Sequence, residues 1–349
     1  MIETQEILNC AQAFHRCHIL VVGDLMLDEY LWGHIERISA EAPVPILNVV
    51  RREATLGGAG NVVRNLLALG LSVTAIGVLG GDETGRQLKD LIDSFGVNTQ
   101  TVVRDRNRKS TRKVRLMSLE HGQQVFRMDE ETPHEVCGDI EDRLVAQIDA
   151  AASSADVILC SDYSKGTLTD RVLKAVFAAA RKHGIDSLVG PKDSNPQKYH
   201  GATILMPNQR ELAQLTRRTV DGDGWLMSSA VQLIERLGLA ALVVTRGKEG
   251  MSLFEARAHD LHRLDIPTMA RSIYDVTGAG DTAIAALGAA IAAGGSLSLG
   301  VHLANLAAGI KVAKLGTNTV TIAEIHQHLS EGYQSSKETV DSHRSLKLD

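Results

Sequence analysis

The sequence lacks the marks of several large protein classes. It has no basic excess: 37 Lys and Arg stand against 42 Asp and Glu, a net charge of −5, where a nucleic-acid binder shows a surplus of positive charge. It has four cysteines, Cys10, Cys17, Cys137 and Cys160, and no CxxC pair. In a chain this long they read as reduced thiols of a cytoplasmic protein, not as a disulfide framework. Cys10, His15, Cys17 and His18 cluster in sequence without a standard metal-ligand spacing. The opening MIETQEILNC is acidic and too poor in apolar residues for a signal peptide. Between Thr282 and Ile310 there is no Asp, Glu, Lys or Arg, a length that could span a bilayer. That stretch is mostly Ala and Gly, however, and GGSLSLG breaks it, so it reads as two buried helices of a soluble core with no membrane partner. A P-loop is missing too: Glu249 follows Gly247-Lys248 where Ser or Thr should stand.

What is present fits one α/β domain over residues 1–349, 44% apolar. HILVVGD, SVTAIGVLG, ADVILCSD, IDSLVGPK, ATILMPN and ALVVTRG read as strands, with segments at helical spacing between them. That alternation predicts βαβ units and a mostly parallel sheet covered on both faces, three layers α/β/α. Ligands of such sheets bind at the carboxyl ends of the strands. Asp24, Asp162, Lys192, Asn208 and Gly247 all fall at or just past predicted strand ends, which points to one shared cleft. Two segments break the alternation, about 31–50 and 104–129, and predict a small β lid outside the main sheet. The polar stretch from 332 to 349 reads as a mobile tail.

Four motifs carry the chemistry. In DVTGAGDT, residues 275–282, Gly278, Ala279 and Gly280 let backbone approach a ligand just where a helix begins. Free N–H donors and the positive end of the helix dipole then make an anion hole. Asp281 follows it, either as a helix cap or as a base for a hydroxyl attacking phosphorus. The same letters spell a Gly-x-Gly-x-x-Ala fingerprint, but no Asp or Glu lies between Asp281 and Glu324 to bind a ribose. LGGAGN brings Gly57, Gly58 and Asn61 to another helix start, suited to close approach of a polyhydroxylated ligand, and Asp24 can accept from vicinal hydroxyls. RDRNRKSTRKVR, residues 104–115, holds seven Arg or Lys and one acid. It is either a solvated face or a lid strand clamping a phosphate, with Lys113 and Arg115 on one side of the strand. PNQRE places Glu211 three residues after Asn208, as an N-capped helix or as a carboxylate near hydrated magnesium.

With those motifs in order, the chain resembles the ribokinase-like sugar kinases, the PfkB family, over roughly residues 15–330. DVTGAGDT is similar to the family's C-terminal signature and GGAGN to its N-terminal one, with PNQRE and TRGKEGM matching between them. GDLMLDEYLWGHIERISAEAPVPIL and SDYSKG are similar to the branch acting on D-glycero-β-D-manno-heptose 7-phosphate. The resemblance implies a ribokinase-like fold and an ATP- and Mg2+-dependent kinase for the anomeric hydroxyl of that sugar phosphate, in the route to lipopolysaccharide. It implies Asp281 as base with the Gly278–Gly280 anion hole, and Asp24, Gly57, Gly58, Asn61 and Asp162 around the sugar. Lys113 and Arg115 would meet the 7-phosphate. Lys192, Asp193, Asn208, Thr245, Gly247 and Asn305 would line the ATP side, with Glu211 holding magnesium through water. It also implies a homodimer joined through lid strands. That branch is often fused to a nucleotidyltransferase domain, and the length of 349 residues sets the expectation of a separate kinase. One departure is Gly190 before Pro191-Lys192, where the branch has Asp; the role of that acid is either vacant or moved to Asp193. Rival readings are a kinase for another sugar phosphate, such as fructose 6-phosphate, and a nucleotide-binding regulator.

Overall fold

The computed structural model describes residues 4–222, 224–257, 260–270 and 272–330; the tail expected from residue 332 lies outside them. The main sheet is built from β1 (His18–Gly23), β4 (Ser72–Gly80), β5 (Val102–Asp105), β8 (Val157–Ser161), β9 (Asp186–Gly190), β10 (Ile204–Leu205), β11 (Ala241–Thr245), β12 (Met251–Arg257) and β13 (Asp260–Ile266). They lie in the order β13-β12-β11-β10-β9-β8-β1-β4-β5. All neighbours are parallel except the pairs β11–β12 and β12–β13. The central strands are apolar throughout because both faces are covered. Along β1, Ile19 and Val21 enter one core while Leu20 and Val22 enter the other, the period of two that a pleated strand imposes.

Helices α1 (Thr4–Gln12), α2 (Ala59–Ala68), α3 (Glu83–Ser94), α8 (Ala279–Ala292) and α9 (Leu297–Val312) bury their apolar faces in the first core. Helices α4 (Asp139–Ala152), α5 (Asp170–His183), α6 (Gln209–Thr216) and α7 (Trp225–Leu237) do so in the second. The uncharged stretch therefore forms two buried helices, α8 and most of α9. Small residues let them pack closely: a Cβ on Gly300 would stand 2.8 Å from Leu287 Cδ1. No helix among the described residues is long and apolar enough to cross a membrane.

The lid is a second sheet, β3-β2-β6-β7, made of β2 (Leu25–Ile38), β3 (Pro45–Gly58), β6 (Thr111–Ser118) and β7 (Gln124–Glu130). It is larger than the sequence suggested on one side and smaller on the other. β2 leaves the main sheet directly after Asp24 and β3 returns into α2, so the lid starts at Leu25 and reaches Gly58 rather than ending at 50. Residues 104–110 do not belong to it. Arg104 and Asp105 close β5, which pairs with Gly77–Gly80 at the edge of the main sheet, and the lid resumes only at Thr111.

Candidate active site

The strand ends converge on α8. Gly278 caps this helix with φ +77°, a left-handed conformation that costs a glycine little. A Cβ there would also lie 2.8 Å from Asn61 Nδ2, so both backbone and space require glycine. Gly280 is different: a Cβ on it would meet nothing within 4 Å. The gap opens into two cavities that share Gly280 and Thr245. The Ala279 N–H donates to Val276 O at 3.1 Å. The amides that follow it in the first turn, those of Gly280 and Asp281, are ones a helix leaves without carbonyl partners of its own, so the anion hole expected over Gly278–Gly280 could draw on these two and not on Ala279.

Asp281 sits in that first turn. Its Oδ1 accepts from the Tyr163 hydroxyl at 2.6 Å and its Oδ2 from Asn61 Nδ2 at 2.7 Å. Desolvation by the surrounding protein raises its pKa from 3.8 to about 6, against the two hydrogen bonds, with the Asp28 carboxylate pushing the same way as burial. A carboxylate poised near neutrality beside helix-start amides can accept a proton at physiological pH. Its position is fixed from α2: Asn61 reaches Asp281, Thr282 Oγ1 donates to Asn65 Oδ1 at 3.0 Å, and Asn65 Nδ2 donates to Asn61 O. Asn61 Oδ1 is buried and has no hydrogen-bond partner among the described residues.

The first cavity, about 140 Å³, has a mixed lining in which polar side chains are prominent. Asp162, Lys192, Asn208, Glu211, Thr245 and Asp281 all line it, together with Tyr163 and Gly190. Asn208 and Glu211 form a reciprocal capping box at the start of α6, so the capping reading of PNQRE is correct as far as it goes. Glu211 Oε2 takes the Asn208 N–H at 2.9 Å, while Oε1 turns to Lys192 Nζ at 3.0 Å. With both oxygens engaged, Glu211 suits a cation that keeps its water shell rather than one stripped of it. Among the described residues no group of three acidic, His or Cys side chains forms a metal cage. Asp162 is buried; desolvation raises its pKa while Lys198 Nζ, at 3.3 Å, works against the rise.

The second cavity, about 210 Å³, is a mainly apolar slot between the loop after β11 and helices α8 and α9. Thr245, Gly247 and Asn305, three of the residues assigned to the nucleotide side, line it, along with Ile273, Ala279, Ala283 and Val312. Asn305 is buried and donates to Pro267 O at 2.6 Å, bracing the slot wall.

Two expectations are corrected, those for Asp24 and Asp193, and Lys113 and Arg115 prove to be ion-paired. Asp24 does not present a free carboxylate. It is buried, and it accepts the backbone N–H groups of Tyr163, Lys165 and Thr167 at 2.9, 3.0 and 3.0 Å. It anchors the loop after β8. The carboxylate that does face the Asp281 side is Asp28, four residues on in β2, against which Gly57 packs so tightly that a Cβ would be 2.5 Å from Asp28 Oδ2. Asp193 lines neither cavity. Its oxygens are taken by Asn195 N–H and Lys198 Nζ, so Asp193 does not stand in for an acid at Gly190, where a Cβ would lie 3.0 Å from Ile284 Cδ1. Lys113 and Arg115 share a face of β6 but are not free cations. Arg115 Nη1 pairs with Asp28 at 2.7 Å and its guanidinium lies 5.3 Å from the Tyr30 ring centroid. Lys113 pairs with Asp129 at 2.8 Å and with Glu131 at 3.6 Å, and Glu131 in turn holds Lys165 at 2.8 Å. Gly58, φ +56°, is pinned against Asp24 O and serves the lid-to-helix turn.

The profile of the pfkB family carbohydrate kinases matches residues 17–324. The chain is 44% identical over 334 residues to the bifunctional protein HldE of Geotalea uraniireducens, covering 96% of this chain and 67% of that one. It is 47% identical over 306 residues to the bifunctional protein HldE of Pelobacter propionicus, covering 88% and 62%. The chain thus spans about two thirds or less of the length of these curated relatives. Phosphofructokinase-2 from Escherichia coli, solved in complex with potassium, shares the fold with a TM-score of 0.75 at 20% identity, over 90% of this chain and 98% of that one.

Proposed function

Since the chain belongs to the pfkB family of carbohydrate kinases and is therefore an ATP-dependent sugar kinase, we propose that it phosphorylates the anomeric hydroxyl of D-glycero-β-D-manno-heptose 7-phosphate, giving the 1,7-bisphosphate. The observation that carries the site assignment is Asp281, raised toward neutrality at a helix start where a cavity of mixed lining and a mainly apolar one meet. The sugar choice rests on the GDLMLDEY and SDYSKG segments and on the similarity to the HldE proteins.

In this reading Asp281 takes the proton of the attacking hydroxyl, and the Gly280 and Asp281 amides stabilise the charge that collects on the transferred phosphoryl group. Phosphoryl transfer depends on positioning and electrostatics more than on covalent help. The Gly280 gap is the passage through which the γ-phosphate approaches from the nucleotide slot. Asn61 uses its Nδ2 to hold the base, and its unpartnered Oδ1 accepts from a sugar hydroxyl. Asp28 accepts from further hydroxyls across Gly57. Magnesium, held through water by Glu211, would screen the phosphate charges while Lys192 meets a phosphate oxygen. The 7-phosphate is met from the lid by Lys113 and Arg115, which exchange part of their carboxylate pairing for phosphate when the lid engages substrate. The chain acts as a dimer through the outer lid, where Val50, Phe126 and Met128 are exposed on a sheet whose edge strands β3 and β7 have an open side.

The test is ADP release with ATP and magnesium against both anomers of D-glycero-D-manno-heptose 7-phosphate, fructose 6-phosphate, ribose and no sugar. Selective turnover of the β-heptose phosphate is expected. Turnover with another sugar alone would remove the heptose assignment and the roles given to Lys113 and Arg115, and leave the kinase site in place.

A further inference from the structure

Lys311 is buried completely, the only lysine among the largest fully enclosed side chains. It stands in the last turn of α9, where a cation suits the negative end of the helix dipole. That alone does not explain its placement. Lys314, one turn later, serves the helix end from the surface, bonding Thr319 O and pairing with Glu324. The head of Lys311 instead crosses to the loop before α8, where Nζ donates to Asp275 O at 3.0 Å. Among the described residues this carbonyl is its only hydrogen-bond acceptor. Burying an ammonium without a contacting carboxylate is costly, so its retention calls for a partner charge.

The charges that face it are the carboxylates of Asp275 and Asp281 and the ammonium of Lys314, and desolvation lowers its own pKa. The Asp275 carboxylate is occupied elsewhere, accepting the N–H groups of Thr277 and Gly316 at 2.8 Å each. Tyr274 and Asp275 both donate their N–H to Val312 O, at 2.7 and 3.1 Å. The segment leading into Gly278 is thus strapped to the end of α9 by two amides and one ammonium.

We propose that Lys311 is a built-in cation for the phosphoryl-transfer site, a positioning residue that sets the turn from Asp275 to Gly278 and lends positive field to the helix start beside Asp281. It touches no reactant. The inference rests on the reading of Asp281 and its turn as the transfer site. The negative charge of the incoming triphosphate, absent from the free protein, supplies what the buried ammonium lacks. A fixed charge of this kind costs no reorganisation when phosphate charge develops.

The test uses the full chain with Lys311→Met, which keeps length and loses charge, and Lys311→Ala, which leaves room for a small cation. In both, kcat falls by roughly tenfold or more with KM for the sugar little changed, and the Lys311→Met protein melts no lower than wild type because a buried charge is gone. Ammonium chloride restores turnover in Lys311→Ala at constant ionic strength, tetramethylammonium chloride does not, and wild type responds to neither. The proposal is overturned if Lys311→Met keeps kcat within about twofold, if loss of turnover follows loss of folding in both variants, or if ammonium stimulates wild type as strongly as Lys311→Ala. Absence of turnover in the wild-type control with every sugar would instead strike at the kinase reading itself.

Discussion

Replacing Asp281 by Asn separates a catalytic carboxylate from a structural cap, because the two roles predict opposite changes in stability. The Asp281 pKa is raised from 3.8 to about 6 in the folded protein. The folded chain therefore holds this proton more tightly than the unfolded chain. The associated stability is fully present below about pH 4 and is lost as pH rises through 6. A gap of about two units corresponds to about 3 kcal/mol withheld from the fold at pH 7.5, and about half of that at pH 5. The charge gains about 0.3–1 kcal/mol from the helix dipole, so Asn at 281 is expected to add about 2 kcal/mol at pH 7.5. Asn can satisfy the site sterically: its oxygen accepts from Asn61 Nδ2 and its amide donates to the Tyr163 oxygen, which accepts as readily as it donates. Urea unfolding at pH 7.5 and pH 5 reads the gain, which should shrink at the lower pH. Turnover of the same protein should fall by about 10²–10⁴. A variant that loses stability at both pH values while retaining turnover would refute the argument and make Asp281 a cap.

Other outcomes follow from the same geometry. Tyr163→Phe removes the 2.6 Å hydrogen bond that lowers the Asp281 pKa. The acidic limb of kcat/KM should therefore move up by about one pH unit, and an unmoved limb would exclude Asp281 as the titrating base. Glu211→Gln keeps an oxygen for the Asn208 N–H but loses the charge facing Lys192. Thermal midpoint should hold within a few degrees while the magnesium concentration for half-maximal rate rises; equal loss of both would mean the residue only caps α6. Phe126→Asp, on the exposed face of β7, should convert a dimer to a monomer in sedimentation velocity, and an unchanged sedimentation coefficient would move any interface away from the lid.

The parts of this site that were legible in the sequence are those whose geometry is local. A glycine-rich turn followed by an Ala-rich helix fixes a helix start within eight residues, and strand ends announce themselves where apolar runs stop. The capping box at Asn208 and Glu211 has the same local character. The missed contacts act over long separations. Tyr163 and Asp281 are 118 positions apart, Asn61 and Asp281 220, and nothing in DYSKG or GGAGN shows that one would meet the other's carboxylate. Asp24 was expected at the sugar and Asp28 was passed over, because both follow β1 within five residues and only the path of β2 decides which turns inward to the backbone and which faces Gly57. β2 itself was hidden by its burial: Leu25 to Tyr30 are all enclosed, and beyond them exposure rises toward Ile38 without the alternation that marks a one-sided strand. Lys311 directly follows an uncharged helical stretch, and no local feature of the sequence marks it as enclosed.

The three amides gathered by Asp24 have a consequence for how such an enzyme could change its acceptor over evolutionary time. One carboxylate fixes the loop that carries Tyr163, which tunes the base, and Lys165, which faces the lid acids. A substitution that reshapes this loop for a new sugar would detune the base in the same step, so drift along it is penalised twice. The lid strands β6 and β7 are less constrained, since their side chains reach the base at one remove, through the Arg115–Asp28 pair and through Glu131 to Lys165. New acceptor preferences are then expected to accumulate in the lid first, with the segment from Asp162 to Thr167 holding its form while the lid facing it diversifies.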